Sequence, residues 1–158
     1  MTKTINLRRM EQSDIPLFKE WLKLPHVAAW YHEPEDWIYE VEHQASEYPW
    51  LHHYIAEDQD KPIGFCQYYE YRNSGEDWHG SILLEGTYSI DYLIGDVNFL
   101  KKGYGAKMLQ LLLDRIRQEP KAKRVIVQPE EENAASCGVL KSIGFQFDEA
   151  NKVFVLNI

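Results

Sequence analysis

Residues 100–116, LKKGYGAKMLQLLLDRI, set two glycines and two lysines at the mouth of an apolar-striped helix. Leu109, Leu112, Leu113 and Ile116 recur at i, i+3, i+4 and i+7, which predicts a helix over 103–118 with one face in a core, ended by Pro120. Glycine is a poor helix former, so a pair at the start calls for a reason beyond helix formation. One reason is close approach. The free N–H groups of a first turn and the helix dipole favour an anion, and glycine lets it reach the backbone without meeting a β-carbon. The other reason is a plain strand–helix turn. Two phosphate-binding patterns are excluded by the residues. A P-loop needs G-x-x-x-x-G-K-[ST], which is missing, and a dinucleotide fingerprint needs a third glycine where Met108 stands.

Around this segment the pattern is mixed α/β. TINLRRM alternates as a strand with Ile5 and Leu7 on one face, and SDIPLFKEWLKL predicts a helix with Ser13 as N-cap and Leu17, Trp21 and Leu24 as its stripe. EPEDWIYEVEHQASEY suits a second helix, HYIAED and PIGFCQYYEY a hairpin about DQDKP, residues 72–86 an irregular loop, and TYSIDYLIG a further strand. KRVIVQP reads as a short buried strand, NAASCGVLKSIG as a helix capped by Asn133 and stopped by Gly144, and FQFDEANKVFVLNI as two short strands. The order β-α-α-β-β-β-α-β-α-β-β predicts an α/β domain flanked by about four helices. Its mixed sheet is antiparallel in the N-terminal part, with a parallel crossover in the C-terminal part. Without a linker or an internal repeat, residues 1–158 read as a single domain.

Charge and composition narrow the function. A net charge of −8 argues against a nucleic-acid surface; it suits a cationic partner, or simply solubility. No apolar run approaches the roughly 18 residues of a membrane span. The start, MTKTINLRRM, lacks a signal-like apolar stretch, and Cys66 and Cys137 lack metal or redox spacing, so a cytoplasmic protein with reduced thiols is expected. The six histidines, adjacent His52 and His53 among them, show no ligand spacing, and no metal is expected.

Two motifs then combine. LKKGYG resembles the [QR]-x-x-G-x-[GA] pyrophosphate loop of the GNAT acyltransferases, which use acetyl-CoA. NAASCGVLKSIGF resembles that family's later helix, N-x-x-[AS]-x-x-x-Y-x-x-x-G-F, at Asn133, Ser136, Gly144 and Phe145. With the element order, the resemblance covers essentially the whole chain. LRRMEQSDIPLFKEWLKLPHVAAWY, YIAEDQDKPIGFCQYY and YSIDYLIG further resemble segments of aminoglycoside 6'-N-acetyltransferases. Three positions depart from the pattern. Leu100 replaces the loop's leading basic or amide residue, Leu140 the tyrosine that protonates the departing thiolate, and Gln128 an acid before the proline, with Glu130 to Glu132 nearby.

Acetyl transfer to an amine needs a neutral nitrogen, a polarised thioester carbonyl and an exit for the thiolate. Asp91, an acid between Ile90 and Tyr92 in a strand, is the candidate catalytic residue and acceptor contact, since aspartate is depleted in strands; an ordinary ion pair at a strand edge is the competing reading. The resemblance implies backbone N–H groups around Leu93 and Ile94 at the thioester. It implies Lys101, Lys102, Gly103, Tyr104, Gly105 and Ala106 at the pyrophosphate, and Asn133 and Ser136 beside the pantetheine arm. Trp30, Tyr31, Glu76 and Asp77 are candidate contacts for a cationic acceptor, Trp30 otherwise serving the core and the two acids the surface. The resemblance implies a direct-transfer N-acetyltransferase, monomeric or homodimeric, acting on a small cationic amine, with an aminoglycoside as the expected acceptor. An enzyme for another amine, such as a siderophore precursor, or an acyl-CoA-binding module, are the alternatives; Leu140 favours the module.

Overall fold

Alternation along the strands becomes a seven-stranded sheet of order β1-β2-β3-β4-β5-β7-β6 in a computed structural model, which describes residues 4–158. The strands are β1 (Ile5–Arg9), β2 (His52–Asp58), β3 (Lys61–Glu70), β4 (Thr87–Ile94), β5 (Arg124–Val127), β6 (Gln146–Asp148) and β7 (Val153–Asn157). The helices are α1 (Ile15–Lys23), α2 (Pro25–Ala28), α3 (Pro34–Glu42), α4 (Tyr104–Arg117) and α5 (Ala134–Ser142). Strands β1 to β4 are antiparallel neighbours, β4 and β5 run parallel through the α4 crossover, and β7 pairs antiparallel with both β5 and β6. The β2–β3 hairpin closes on Gln59 and Asp60, both at positive φ (49° and 69°), the twist that a two-residue connection between right-twisted strands demands.

Both faces of the sheet are covered. The predicted stripe of α4 (Leu109, Leu112, Leu113 and Ile116, joined by Met108) packs with Tyr54, Cys66 and Ile90 on one face. Phe18, Trp21, Leu22 and Val41 of α1 and α3 pack with Ile55, Phe65 and Leu93 on the other. Neighbouring strand residues therefore serve opposite layers, as the pleat requires.

Four local expectations are corrected. Among the described residues a short further helix joins the four read from the pattern, because Leu24 before Pro25 is extended (φ −71°, ψ 139°) and α2 starts anew after α1. Ser13 lies in a 3-10 turn, and the N-cap of α1 is Asp14, whose carboxylate takes Arg8 at 2.7 Å and the Glu11 N–H at 2.8 Å. The buried stripe of α1 is Ile15, Phe18, Trp21 and Leu22, leaving Leu17 at 37% exposure. Helix α3 stops at Glu42, where His43 leaves helical geometry and the Tyr39 hydroxyl donates to Glu47 at 2.5 Å, folding the chain back.

The feature that makes a site is where β4 and β5 part. They pair only at Thr87–Ser89 with Arg124–Ile126, so Ile90–Ile94 run on with no partner on that side. The Ser89 hydroxyl closes the ladder by donating to the Ile126 carbonyl at 2.7 Å. A gap opens beyond it.

Candidate active site

The gap is a cleft of about 900 Å³, walled by Tyr92 and Ile94 of β4, Val127 of β5 and the first turns of α4 and α5. Gly103 sits at the N-cap of α4 with φ 85°, in the left-handed region that favours glycine. A β-carbon built on Gly105 would meet nothing within 4 Å, so the backbone there stands open to the cleft. Lys101, Gly103, Gly105 and Ala106 line the cleft, as does Leu100. Lys102 and Tyr104 lie off that lining; Lys102 is exposed and the Tyr104 ring packs edge-on against Phe99 at 4.9 Å.

Strand alternation decides which backbone groups of β4 face the gap. A β-carbon on Gly64 would come within 2.6 Å of the Leu93 carbonyl, and the Gly95 N–H donates to the Ile63 carbonyl at 2.8 Å, so Leu93 and Gly95 face β3. Tyr92 and Ile94 face the gap. Their carbonyls are already engaged. His26 Nε2–H donates to the Ile94 carbonyl at 2.9 Å, and the Tyr31 hydroxyl donates to the Tyr92 carbonyl. What remains on that edge is a pair of N–H donors. Of the two amides expected at a thioester, Ile94 is on the gap edge while Leu93 is turned into the β3 ladder, and the second amide on the gap edge is that of Tyr92.

On the opposite wall Asn133 caps α5, its side chain accepting the Ser136 N–H at 3.1 Å, and both residues line the cleft. The Ser136 hydroxyl meets the Tyr92 hydroxyl across the gap. Leu140, one turn further on, is fully buried in the α4 core layer. His32 Nε2 and Glu130 Oε1 meet at 2.7 Å, joining the segment after α2 to the segment after β5.

Asp91 points the other way from Tyr92, where the cleft joins a second hollow of about 310 Å³. This hollow is lined by Trp37, Trp50, Tyr69 and three carboxylates, Glu40, Glu76 and Asp91. Burial pushes the Asp91 carboxyl up to about 6; the hydrogen bond from Gln67 Nε2 at 2.8 Å works against that rise, and the charge of Glu76 adds to it. Burial likewise pushes Glu40 up to about 7, helped by the charges of Asp91, Asp36 and Glu76. Glu76 is held by the Tyr69 hydroxyl at 3.1 Å and Trp78 Nε1 at 3.0 Å. Asp77 is exposed and off both linings. Trp30 and Tyr31 are on the cleft wall, Tyr31 meeting Trp37 ring to edge at 4.9 Å.

The residues missed in the sequence are Gln67, Glu40, Trp37, Trp50 and His26. Glu40 carried a weak signal, standing at i+3 from Trp37 on one helical face. Gln67 needed the hairpin register, which sets it directly opposite Asp91. Because its amide favours the ionised carboxylate, Gln67→Leu is expected to shift the acid limb of the pH–rate profile upward by about one pH unit, read from kcat between pH 5 and 8.

The cleft is thus a gap between two parting parallel strands, with donors on one edge and a glycine-opened helix start at its end. The chain matches the model of the acetyltransferase (GNAT) domain over residues 11–153, and it belongs to that family. Among individual proteins it is similar to the aminoglycoside N(6')-acetyltransferase type 1 of Klebsiella pneumoniae, 26% identical over 153 residues that cover 90% of this chain and 74% of that protein. The protein of that name from Serratia marcescens matches to the same extent. The crystal structure of aminoglycoside acetyltransferase AAC(6')-Ib in complex with coenzyme A superposes with a TM-score of 0.84 at 23% identity, covering 98% of this chain and 95% of that one. An aminoglycoside N(6')-acetyltransferase structure from Legionella pneumophila gives 0.76 at 21% identity, covering 99% and 94%. This structural likeness carries the fold: a mixed sheet with a parallel crossover.

Proposed function

We propose that the protein is an acetyl-CoA-dependent N-acetyltransferase that moves an acetyl group directly to a primary amine of a small cationic molecule, with an aminoglycoside 6'-amine as the first acceptor to test. The observation that carries this reading is that a donor-lined gap and a carboxylate-lined hollow share a wall that holds Asp91, with Trp37, Tyr69 and Glu76 beside it. The residues fit coenzyme A. Gly103 and Gly105 leave the start of α4 open to a pyrophosphate, Lys101 adds charge, and the gap is an unfilled strand position into which an amide-bearing arm can pair. The bound donor supplies the acetyl thioester.

On this reading the N–H groups of Tyr92 and Ile94 polarise the thioester oxygen, held in place because His26 and Tyr31 engage the neighbouring carbonyls. Asp91 takes the ammonium proton, directly or through water, with a pKa near neutrality that suits a base. Glu40 and Glu76 hold further positive charge, and Trp37 and Trp50 offer faces to an ammonium or a sugar. A second reading, an acyl-CoA-binding module, is favoured by Leu140, a buried apolar side chain with no proton to donate.

Thiol release from acetyl-CoA against a panel of aminoglycosides, polyamines and peptide amines separates them. Release with aminoglycosides is expected. Glu40→Gln should then raise KM for a multiply charged acceptor by about tenfold and for a monoamine far less. Tight coenzyme binding without release to any acceptor would support the module, and release confined to peptide amines would remove the aminoglycoside reading.

A further inference from the structure

We propose that the Tyr92 hydroxyl delivers the proton taken up by the departing coenzyme A sulfur, a role that rests on the acetyl-transfer reading above. A thiolate released inside a half-buried gap needs a donor, since a charge without a partner is costly there. Leu140 cannot supply one. Three phenols line the cleft among the described residues, Tyr31, Tyr69 and Tyr92. Tyr31 donates to the Tyr92 carbonyl, and Tyr69 donates to Glu76 at 3.1 Å. Tyr92 differs. Its hydroxyl meets another hydroxyl, that of Ser136, and either oxygen can donate, so the pair can turn a proton into the gap.

Position supports the same assignment. Ser136 is in the first turn of α5, so the Tyr92–Ser136 pair bridges the two walls of the gap next to the Tyr92 and Ile94 amides. Asp91 and Tyr92 lie on opposite faces of β4, so the amine's proton leaves on one side of the sheet and the sulfur's arrives from the other. Burial raises the phenol to about 12; the Ser136 bond opposes the rise, and Asp91 and Cys137 nearby add to it. The proton is therefore present at neutral pH.

The step balances. Once Asp91 has passed the ammonium proton to solvent, the neutral amine nitrogen bonds the carbonyl carbon and gives its next proton toward the same carboxylate. The C–S bond then breaks with its electron pair on sulfur. Tyr92 Oη–H protonates that sulfur, and the phenol oxygen regains a proton through the Ser136 hydroxyl from solvent.

The test is an ultraviolet titration of the thiolate of coenzyme A bound to the whole protein, with kcat alongside. Tyr92→Phe is expected to raise the bound thiol's pKa by about one unit, leave the Kd for coenzyme A within about threefold, and lower kcat about a hundredfold. Fluorinated tyrosine at position 92 keeps the shape while making the phenol more acidic, and is expected to change kcat in step with that acidity. An unchanged thiol pKa in Tyr92→Phe, or a kcat indifferent to fluorination, overturns the proposal while acetyl transfer stands. Failure of coenzyme A to bind the wild-type protein overturns the acetyl-transfer reading and this proposal together.

Discussion

Asp91→Asn is expected to lower kcat by about two to three orders of magnitude while leaving KM for acetyl-CoA within about threefold. Asparagine keeps the size of the side chain and a partner for Gln67, so the change removes proton acceptance and charge with little else. In the wild-type protein the rate should rise with pH as Asp91 ionises through about 6, and that limb should vanish in the variant. The stability effect runs the other way. The Asp91 carboxyl titrates higher folded than unfolded, so protonation favours the folded state. Its contribution is fully present below about pH 4 and is lost as pH rises through about 6. Asp91→Asn is therefore expected to be more stable than wild type by about 1–3 kcal/mol at pH 8 and equal to it near pH 4, measured by denaturant unfolding at both. Glu40, raised to about 7, adds a loss of the same sign, which in the variant shrinks by the part that the Asp91 charge contributed. A variant of wild-type activity would take Asp91 out of the proton path.

Gly105→Glu is expected to raise the Kd for coenzyme A by at least about a hundredfold without harming the fold. A β-carbon at Gly105 meets nothing within 4 Å, so the new side chain needs no repacking. Glutamate is also a better helix former than glycine and suits the positive end of α4. The same carboxylate projects into the space that an anion must enter, where like charge and bulk act together. Calorimetric binding of coenzyme A beside a melting curve separates the effects, and the expected pair is lost binding with an unchanged or slightly raised Tm. Weak binding in a variant that melts early would mean that the loop, and not the anion site, had been damaged. Retained binding would turn the glycine pair back into a plain strand–helix turn.

Legibility in the sequence followed the range of the physics. The α4 stripe and the Asn133 cap depend on neighbours within a turn or so, and both stand where the residues placed them. The short helix α2 that restarts at Pro25 was equally local and was still missed, since a proline just after a helix reads as an ending and not as a restart. Which face of α1 is buried was a finer matter, and Leu17 fell outside because the packing of Trp21 against Gly95 sets that helix's rotation.

By itself, the sequence determined the element order apart from the short α2, the glycine-opened helix start and the isolated acid at Asp91, because helical and strand periodicities, turn chemistry and glycine's missing β-carbon act over a few residues. Only the tertiary structure decided that Gln67 faces Asp91, that Glu40 joins Glu76 in one hollow, that the open amides are those of Tyr92 and Ile94, and that Tyr92 reaches Ser136. The meeting of Glu40 and Glu76 depends on how α3 and the loop after β3 pack, and the others on strand register and on where β4 leaves β5. A one-residue slip exchanges the two faces of a strand, and nothing within a single segment records which slip was taken.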